Sequence, residues 1–227
     1  MATTYFVTGT DTNVGKTLVT AALLLKARQA GKTTLGLKPI AAGAEMTEAG
    51  LRNADALLLR EYSSVQIPYA QTNPVCLAEP IAPHIAAART GQRLSLDRLE
   101  GFVRGALMQR ADLRLIEGAG GWRLPLSERE NLSDLSKRLE LPVILVVGLR
   151  LGCLNHALLT AEAIISDGLK LAGWVASSLE PDLAAEAEII ATLQYRLPAP
   201  CIGHVPWLEQ PSAEGVAAYL NLGGVVG

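Results

Sequence analysis

The run Thr8-Gly9-Thr10-Asp11-Thr12-Asn13-Val14-Gly15-Lys16-Thr17 joins an apolar stretch, Tyr5-Phe6-Val7, to a helix-like one from Leu18 to Leu25. A strand, a turn ending in Gly-Lys-Thr and a helix form a phosphate-binding loop. The backbone N–H groups of such a turn, here Asn13, Val14, Gly15 and Leu18 with their neighbours, cradle oligophosphate. Lys16 neutralises the phosphate and the Thr17 hydroxyl ligates magnesium. One feature is irregular: five residues separate Gly9 from Gly15, so Thr10 stands where the common pattern has its first glycine.

Other chemistry-bearing residues also follow strand-like segments. Lys38-Pro39 is a cation fixed by a rigid residue, and Glu117 opens the glycine turn Gly118-Ala119-Gly120-Gly121. Gly148 to Asn155 contains Gly152, Cys153 and Asn155; Ser177-Ser178 and Pro206-Trp207-Leu208 follow the last two strands. Each has a plainer reading. Lys38 could be a solvated strand-end lysine, Glu117 a surface carboxylate, and Asp55, within Asn53-Ala54-Asp55, a helix N-cap. His84, His156 and His204 do not cluster in sequence and read as structural. Cys153 reads as a small residue fitting a helix N-terminus, not a nucleophile, and the tryptophans as core or rim packing.

The elements that must position these residues alternate. The first helix stops at Gly31, and a second strand covers 33–37. Residues 44–95 are less regular, with helical patches near 54–59 and 85–88. Helices are expected at 96–108, 133–139, 154–165, 182–197 and 213–220, and strands at 113–116, 143–147, 171–175 and 201–205. Continuously apolar strands separated by helices predict an α/β fold: one domain over 1–227, with a mostly parallel sheet covered by helices on both faces in three layers. Ligands in such sheets sit at the carboxyl ends of the strands, which gathers the residues above on one rim.

Composition narrows the function classes. With 227 residues, 49% of them hydrophobic, the chain can bury a large core. A net charge of −2 with scattered basic residues argues against nucleic acid as a partner. Three widely spaced cysteines, Cys76, Cys153 and Cys201, suit neither a disulfide framework nor a zinc site. The chain enters its first strand almost at once and its apolar runs are too short to span a bilayer, so a soluble cytoplasmic protein without a signal peptide or membrane partner is expected.

Taken together, the extended loop Gly9 to Thr17, Lys38-Pro39, Gly50-Leu51-Arg52-Asn53-x-Asp55, Asn73-Pro74, Glu79-Pro80-x-x-Pro83-His84, Glu117 to Trp122 and Gly152-Cys153-x-Asn155-His156 resemble dethiobiotin synthetase from about residue 4 to 222. The resemblance implies a P-loop NTPase fold and an ATP- and Mg2+-dependent cyclo-ligase of biotin synthesis. It implies that CO2 carboxylates 7,8-diaminononanoate (diaminopelargonate), that ATP phosphorylates the carbamate, and that a cyclic urea closes with release of phosphate. By the same resemblance Lys16, Lys38 and Thr12 are catalytic, and Thr17, Asp55 and Glu117 arrange magnesium. The nucleotide contacts are the loop residues with Gly118, Ala119, Gly120, Ser177, Ser178, Pro206, Trp207 and Leu208. Thr12, Lys38 and Ala42 face the substrate, and Gly152, Cys153 and Asn155 bind its carboxylate from the neighbouring subunit of a homodimer.

Two positions depart from the pattern the resemblance brings with it. Ala42 stands where a serine commonly lies near the diamine, and Ser177 where an asparagine reads the adenine edge. Other readings remain at this point: a partition-type switch ATPase, a cyclo-ligase for another acid, or a paralogue that binds nucleotide without efficient turnover. The first would carry a lysine five residues before Lys16, where this chain has Asp11.

Overall fold

The computed structural model describes residues 3–223; the two residues before and four after, included in the expected domain, lie outside them. The chain begins β1 (Thr3–Gly9), α1 (Lys16–Gln29), β2 (Thr34–Leu37), β3 (Ile40–Ala41), β4 (Glu45–Thr47), β5 (Gly50–Arg52), α2 (Ala54–Tyr62) and α3 (Tyr69–Thr72). It continues β6 (Val75–Cys76), α4 (Pro83–Arg89), α5 (Leu96–Leu107), β7 (Leu113–Glu117), α6 (Ser133–Arg138) and β8 (Val143–Leu149). Last come α7 (Cys153–Ser166), β9 (Leu171–Ser178), α8 (Glu186–Arg196), β10 (Cys201–Val205) and α9 (Ala213–Ala217).

Six strands form one sheet in the order β10-β9-β8-β1-β7-β2, and every pairing in it is parallel. The side-chain alternation of a strand divides the core in two. Phe6, Val143, Leu145, Val147 and Leu149 enter the layer under α5, α6 and α7, while Tyr5, Val7, Ile144 and Val146 enter the layer under α1 and α9. β8 and β9 are buried along their whole length, as strands covered on both faces must be. The expected three-layer α/β fold is the one observed. α1 stops where its sequence predicts: Ala30 closes the last turn and Gly31 takes φ +75°, a left-handed conformation that suits glycine.

Three expectations need correction. β9 runs on through Ser177 and Ser178, so these serines end a strand and do not follow one. α8 starts at Glu186, not near residue 182, because Ala185 is held at φ +58° ahead of it. The irregular stretch 44–95 contains the antiparallel hairpin β4–β5, the helix α3 and the strand β6, which pairs in parallel with β3 just before it, none of them expected. These pieces are two to four residues long and carry no period to read. Among the described residues no helix is long and apolar enough to cross a membrane.

Trp122, which ends the glycine turn after β7, meets Phe6 edge to face at 6.0 Å and donates Nε1–H to Asp167 Oδ2 at 2.8 Å. Arg123 grips both oxygens of the same carboxylate, at 2.6 and 3.1 Å. Burial would push the Asp167 carboxyl up, but these bonds outweigh it and hold it below the usual range. Asp167→Asn is expected to cost about 1–2 kcal/mol, a charge-assisted bond discounted for the half-exposed guanidinium. The folded value lies below the unfolded one, so this contribution is complete above about pH 4 and is lost as pH falls through the folded value. Unfolding midpoints of the two proteins should therefore converge in acid; a gap that stays constant down to pH 2 would contradict the assignment.

Candidate active site

The phosphate-type loop links β1 to α1 at the carboxyl edge of the sheet. Asn13 and Gly15 adopt left-handed backbone, at φ +58° and +88°. At Gly15 a Cβ would also lie 2.9 Å from Ser177 Oγ, so this position has room only for glycine. No side chain caps the α1 N-terminus, leaving its first amides free for an anion. The residue that breaks the common spacing is tied down: Thr10 N–H donates to Val146 O at 2.9 Å, and its Oγ1 accepts from Gly148 N–H at 3.3 Å. Asp11 shapes the next step. Its Oδ1 accepts from Thr12 N–H at 2.8 Å, its Oδ2 pairs with Arg150, and its carbonyl accepts from Lys16 Nζ at 2.7 Å. The Thr12 N–H, and after it Arg150, keep the Asp11 carboxyl below its ordinary range.

Opposite the loop, β2, α2 and β7 bring together three residues far apart in sequence. Lys38 Nζ lies 2.5 Å from Glu117 Oε1 and 3.0 Å from Asp55 Oδ2, and donates to Gly118 O at 3.0 Å. Thr17 Oγ1 donates to the same Glu117 oxygen at 2.8 Å. Glu117 is fully buried and Lys38 is 3% exposed, so neither is the surface residue of the plainer reading. Asp55 is not the N-cap of α2. Asn53 fills that role, its Oδ1 accepting from Ala56 N–H at 3.3 Å, and Asp55 is freed to reach Lys38. Burial alone would drive the Lys38 ammonium down, but Glu117 and then Asp55 hold it above its usual value. Lys16 has no such partner: burial, followed by repulsion from Lys38, lowers it to about 8.

A cleft of about 800 Å3 lies between these groups. The loop residues Thr12, Asn13, Gly15, Lys16, Thr17 and Leu18 line it together with Lys38, Ala42, Asp55, Glu117, Ala119 and Gly120. Val14 and Gly118 sit just behind it, Val14 buried and Gly118 offering its carbonyl to Lys38. A smaller cavity of about 220 Å3 shares Asn13, Gly15 and Leu18 with the cleft and is walled by Ser177, Ser178, Pro206, Trp207 and Leu208. The Ser178 hydroxyl is already committed, to Glu186 Oε1 at 2.7 Å and to His204 Nε2 at 3.1 Å. Gly152, Cys153 and Asn155 stand at the start of α7 and do not line the cleft of their own chain.

Sequence reasoning missed the apolar wall of the cleft, Ile81, Ala82 and Leu124, and the Asp11–Arg150 pair. The Pro80 and Pro83 flanks were the only signal for the first two. Among the described residues no three His, Cys, Asp or Glu side chains surround a metal-sized site, so a divalent cation here would depend on the Thr17 hydroxyl, two carboxylates, phosphate oxygens and water.

A Gly-Lys-Thr turn opening a helix at the carboxyl edge of a parallel sheet, facing a second buried lysine, defines a P-loop nucleotide-binding protein. Solved structures share this fold: the septum site-determining protein MinD of Pyrococcus horikoshii with Mg-ADP superposes with a TM-score of 0.55 at 20% identity, over 96% of this chain and 87% of that one. The signal recognition particle receptor FtsY of Elizabethkingia anophelis gives 0.53 at 17%, over 96% and 65%. Residues 3–214 match the family described as an AAA domain. In sequence, the ATP-dependent dethiobiotin synthetase BioD of Cellvibrio japonicus is 56% identical over 218 residues, 96% of this chain and 95% of that protein. BioD 1 of Escherichia coli O157:H7 is 50% identical over 223 residues, 98% and 99% of the two chains. The chain belongs to the ATP-dependent dethiobiotin synthetase family.

Proposed function

We propose that this chain converts 7,8-diaminononanoate, CO2 and ATP to dethiobiotin, ADP and phosphate. One amine attacks CO2 and loses a proton to give a carbamate. A carbamate oxygen then attacks the γ-phosphorus, and ADP leaves. The second amine attacks the carbon of the resulting mixed anhydride, forms the second C–N bond and expels phosphate. The central step joins two anions, so it needs charge neutralisation and alignment more than a nucleophile from the protein. The observation that carries the reading is the placement of two buried lysines, Lys16 and Lys38, in the lining of one cleft. Lys16 and the α1 amides would hold the β- and γ-phosphates, Lys38 would bridge the carbamate and γ-phosphate, and Thr12 and Ala42 would border the diamine.

Magnesium suits the oxygen donors present. Thr17, Asp55 and Glu117 offer a hydroxyl and two carboxylates, and Glu117 Oε2 is buried with no hydrogen-bond partner among the described residues. When bound there, the ion would spread phosphate charge and fix its orientation. Homodimerisation is part of the proposal: Gly152 and Asn155 are exposed outside their own cleft beside Leu151, which is 96% exposed, as residues serving a neighbour's substrate would be, whereas Cys153 is buried in the core with its N–H given to Arg150 O and supports only the start of α7. A strictly monomeric species in sedimentation would sink that part. Phosphate release that requires both diamine and bicarbonate tests the reaction, and nucleotide hydrolysis indifferent to both would overturn it.

The small cavity carries the base in this reading. Ser177 provides one hydroxyl where an amide would offer donor and acceptor together, and Ser178 is spent on Glu186 and His204. One missing neutral hydrogen bond is worth about 0.5–1.5 kcal/mol, roughly 2- to 10-fold. Discrimination between ATP, CTP and GTP in kcat/KM should therefore be weak, and Ser177→Asn should sharpen it toward ATP by that factor. A strong ATP preference in the unsubstituted protein would refute this.

A further inference from the structure

The Tyr69 hydroxyl joins the backbones that carry Lys38 and Asp55. It accepts from Asn53 N–H at 2.8 Å and donates to Asn73 Oδ1 at 3.0 Å. Asn53 is the N-cap of α2, two residues before Asp55, and its Nδ2 donates to Ala42 O at 3.2 Å. On the other arm, Asn73 Nδ2 donates to Lys38 O at 2.6 Å and to Val75 O at 3.1 Å. Lys38 N–H in turn donates to Thr72 O at 2.9 Å, in the last residue of α3. Asn53, Asn73, Thr72 and Lys38 are all buried and Tyr69 is partly buried, so each lost bond in the network leaves a polar group in the interior. The Arg52 guanidinium lies 4.2 Å from the Tyr69 ring centroid and covers the ring.

We propose that Tyr69 is a positioning residue for turnover: its hydroxyl sets the separation of Lys38 and Asp55, and with it the place of the Lys38 ammonium. Two direct links between the arms remain beside it, the Lys38–Asp55 ion pair at 3.0 Å and the Asn53 Nδ2 bond to Ala42 O at 3.2 Å, so the hydroxyl tunes a separation that these links hold more loosely. Without the hydroxyl, Asn53 N–H and Asn73 Oδ1 each lose a partner, and the α2 start and the segment after β2 lose one of the ties that fix their spacing. The phosphate loop hangs on β1, β8 and α1 and touches this network indirectly, through the Glu117 oxygen shared by Thr17 and Lys38, so nucleotide binding should feel the change far less than turnover does. Cys76 Sγ, 3.6 Å from the same hydroxyl, leads nowhere toward the cleft.

This inference rests on the dethiobiotin-forming reading for its main assay. Tyr69→Phe keeps the ring and its Arg52 contact and removes one oxygen. Displacing a charge by a fraction of an ångström to 1 Å costs up to about 100-fold in rate, so kcat should fall roughly 10- to 100-fold while KM and the calorimetric Kd for nucleotide stay within about twofold. Cys76→Ala, as a control, should leave both unchanged. A kcat equal to that of the unsubstituted protein overturns the proposal, as does a loss shared equally by kcat and nucleotide Kd, which would mark a purely structural role. Should Tyr69→Phe fail to fold, Asn73→Asp, which keeps the Tyr69 acceptor but loses the donor to Lys38 O, is judged by the same split. Absence of diamine-dependent turnover in the unsubstituted protein would instead sink the reaction itself.

Discussion

Lys38→Ala should reduce diamine-dependent phosphate release by about 10³-fold, the scale on which removal of one preorganised charge at a reacting centre is felt. Nucleotide should still bind within about threefold, because the α1 N-terminus and Lys16 are untouched. Two opposing effects make this split informative. Without Lys38, Lys16 loses the like charge that helps to lower it to about 8, so its grip on phosphate is, if anything, improved. Fully buried Glu117 meanwhile loses the cation at 2.5 Å, and the stability cost should sit near the lower end of the about 3–5 kcal/mol typical of a broken buried pair, since Asp55 is 43% exposed and can turn to water. Lys38→Met, which refills the volume without the charge, separates packing from chemistry. It should recover part of the stability and none of the rate. Calorimetry with ADP beside a phosphate-release assay reads both quantities; near-normal kcat in either variant would remove Lys38 from the mechanism.

The parts legible in the sequence were those written locally. Buried strands appear as apolar runs, and the Gly15-Lys16-Thr17 turn announces its own geometry because the glycine and the helix N-terminus are adjacent in the chain. The rim residues after β2 and β7 could be listed for the same reason. Their pairing could not be read from spacing: Glu117 lies 79 residues from Lys38, and nothing local says that one oxygen takes both Lys38 and Thr17. The resemblance supplied Asp55 and Glu117 as magnesium ligands and not as partners of Lys38, where position alone favoured a helix cap for Asp55. The cap turned out to be Asn53, which is what leaves Asp55 available. Ser178 shows the converse failure. It reads as a nucleotide contact beyond a strand, yet it ends β9 with its hydroxyl on Glu186 and His204, contributed by α8 and β10. The Tyr69 network escaped notice because its members sit in a Pro- and Asn-rich stretch without periodicity, where each polar residue looks like a loop residue until the burial is seen.

Glu117→Gln tests whether that carboxylate is more than a counterion for Lys38. The substitution keeps the shape and leaves one oxygen to accept from Thr17 and Lys38, so the fold should survive within about 1–2 kcal/mol, a neutral amide being easier to bury than a carboxylate while Lys38 keeps Asp55. If Glu117 served only to balance Lys38, the change would be felt in stability and modestly in rate. The buried, unpartnered Oε2 argues for a further task, because an acceptor left bare in the interior costs stability unless something it binds offsets it. With magnesium as that partner, the Mg2+ concentration giving half-maximal phosphate release should rise at least about tenfold, and kcat at saturating Mg2+ should fall about 10²-fold. The stabilisation that Mg-ADP gives over ADP alone in thermal unfolding should shrink with it, as binding to the folded state alone requires. Asp55→Asn should shift the same half-maximal concentration less, since Asp55 is partly open to water and Glu117 is not. An unchanged magnesium requirement in Glu117→Gln, with only stability altered, would reduce Glu117 to the anion that holds Lys38 in place and leave Thr17 and Asp55 as the proposed ligands.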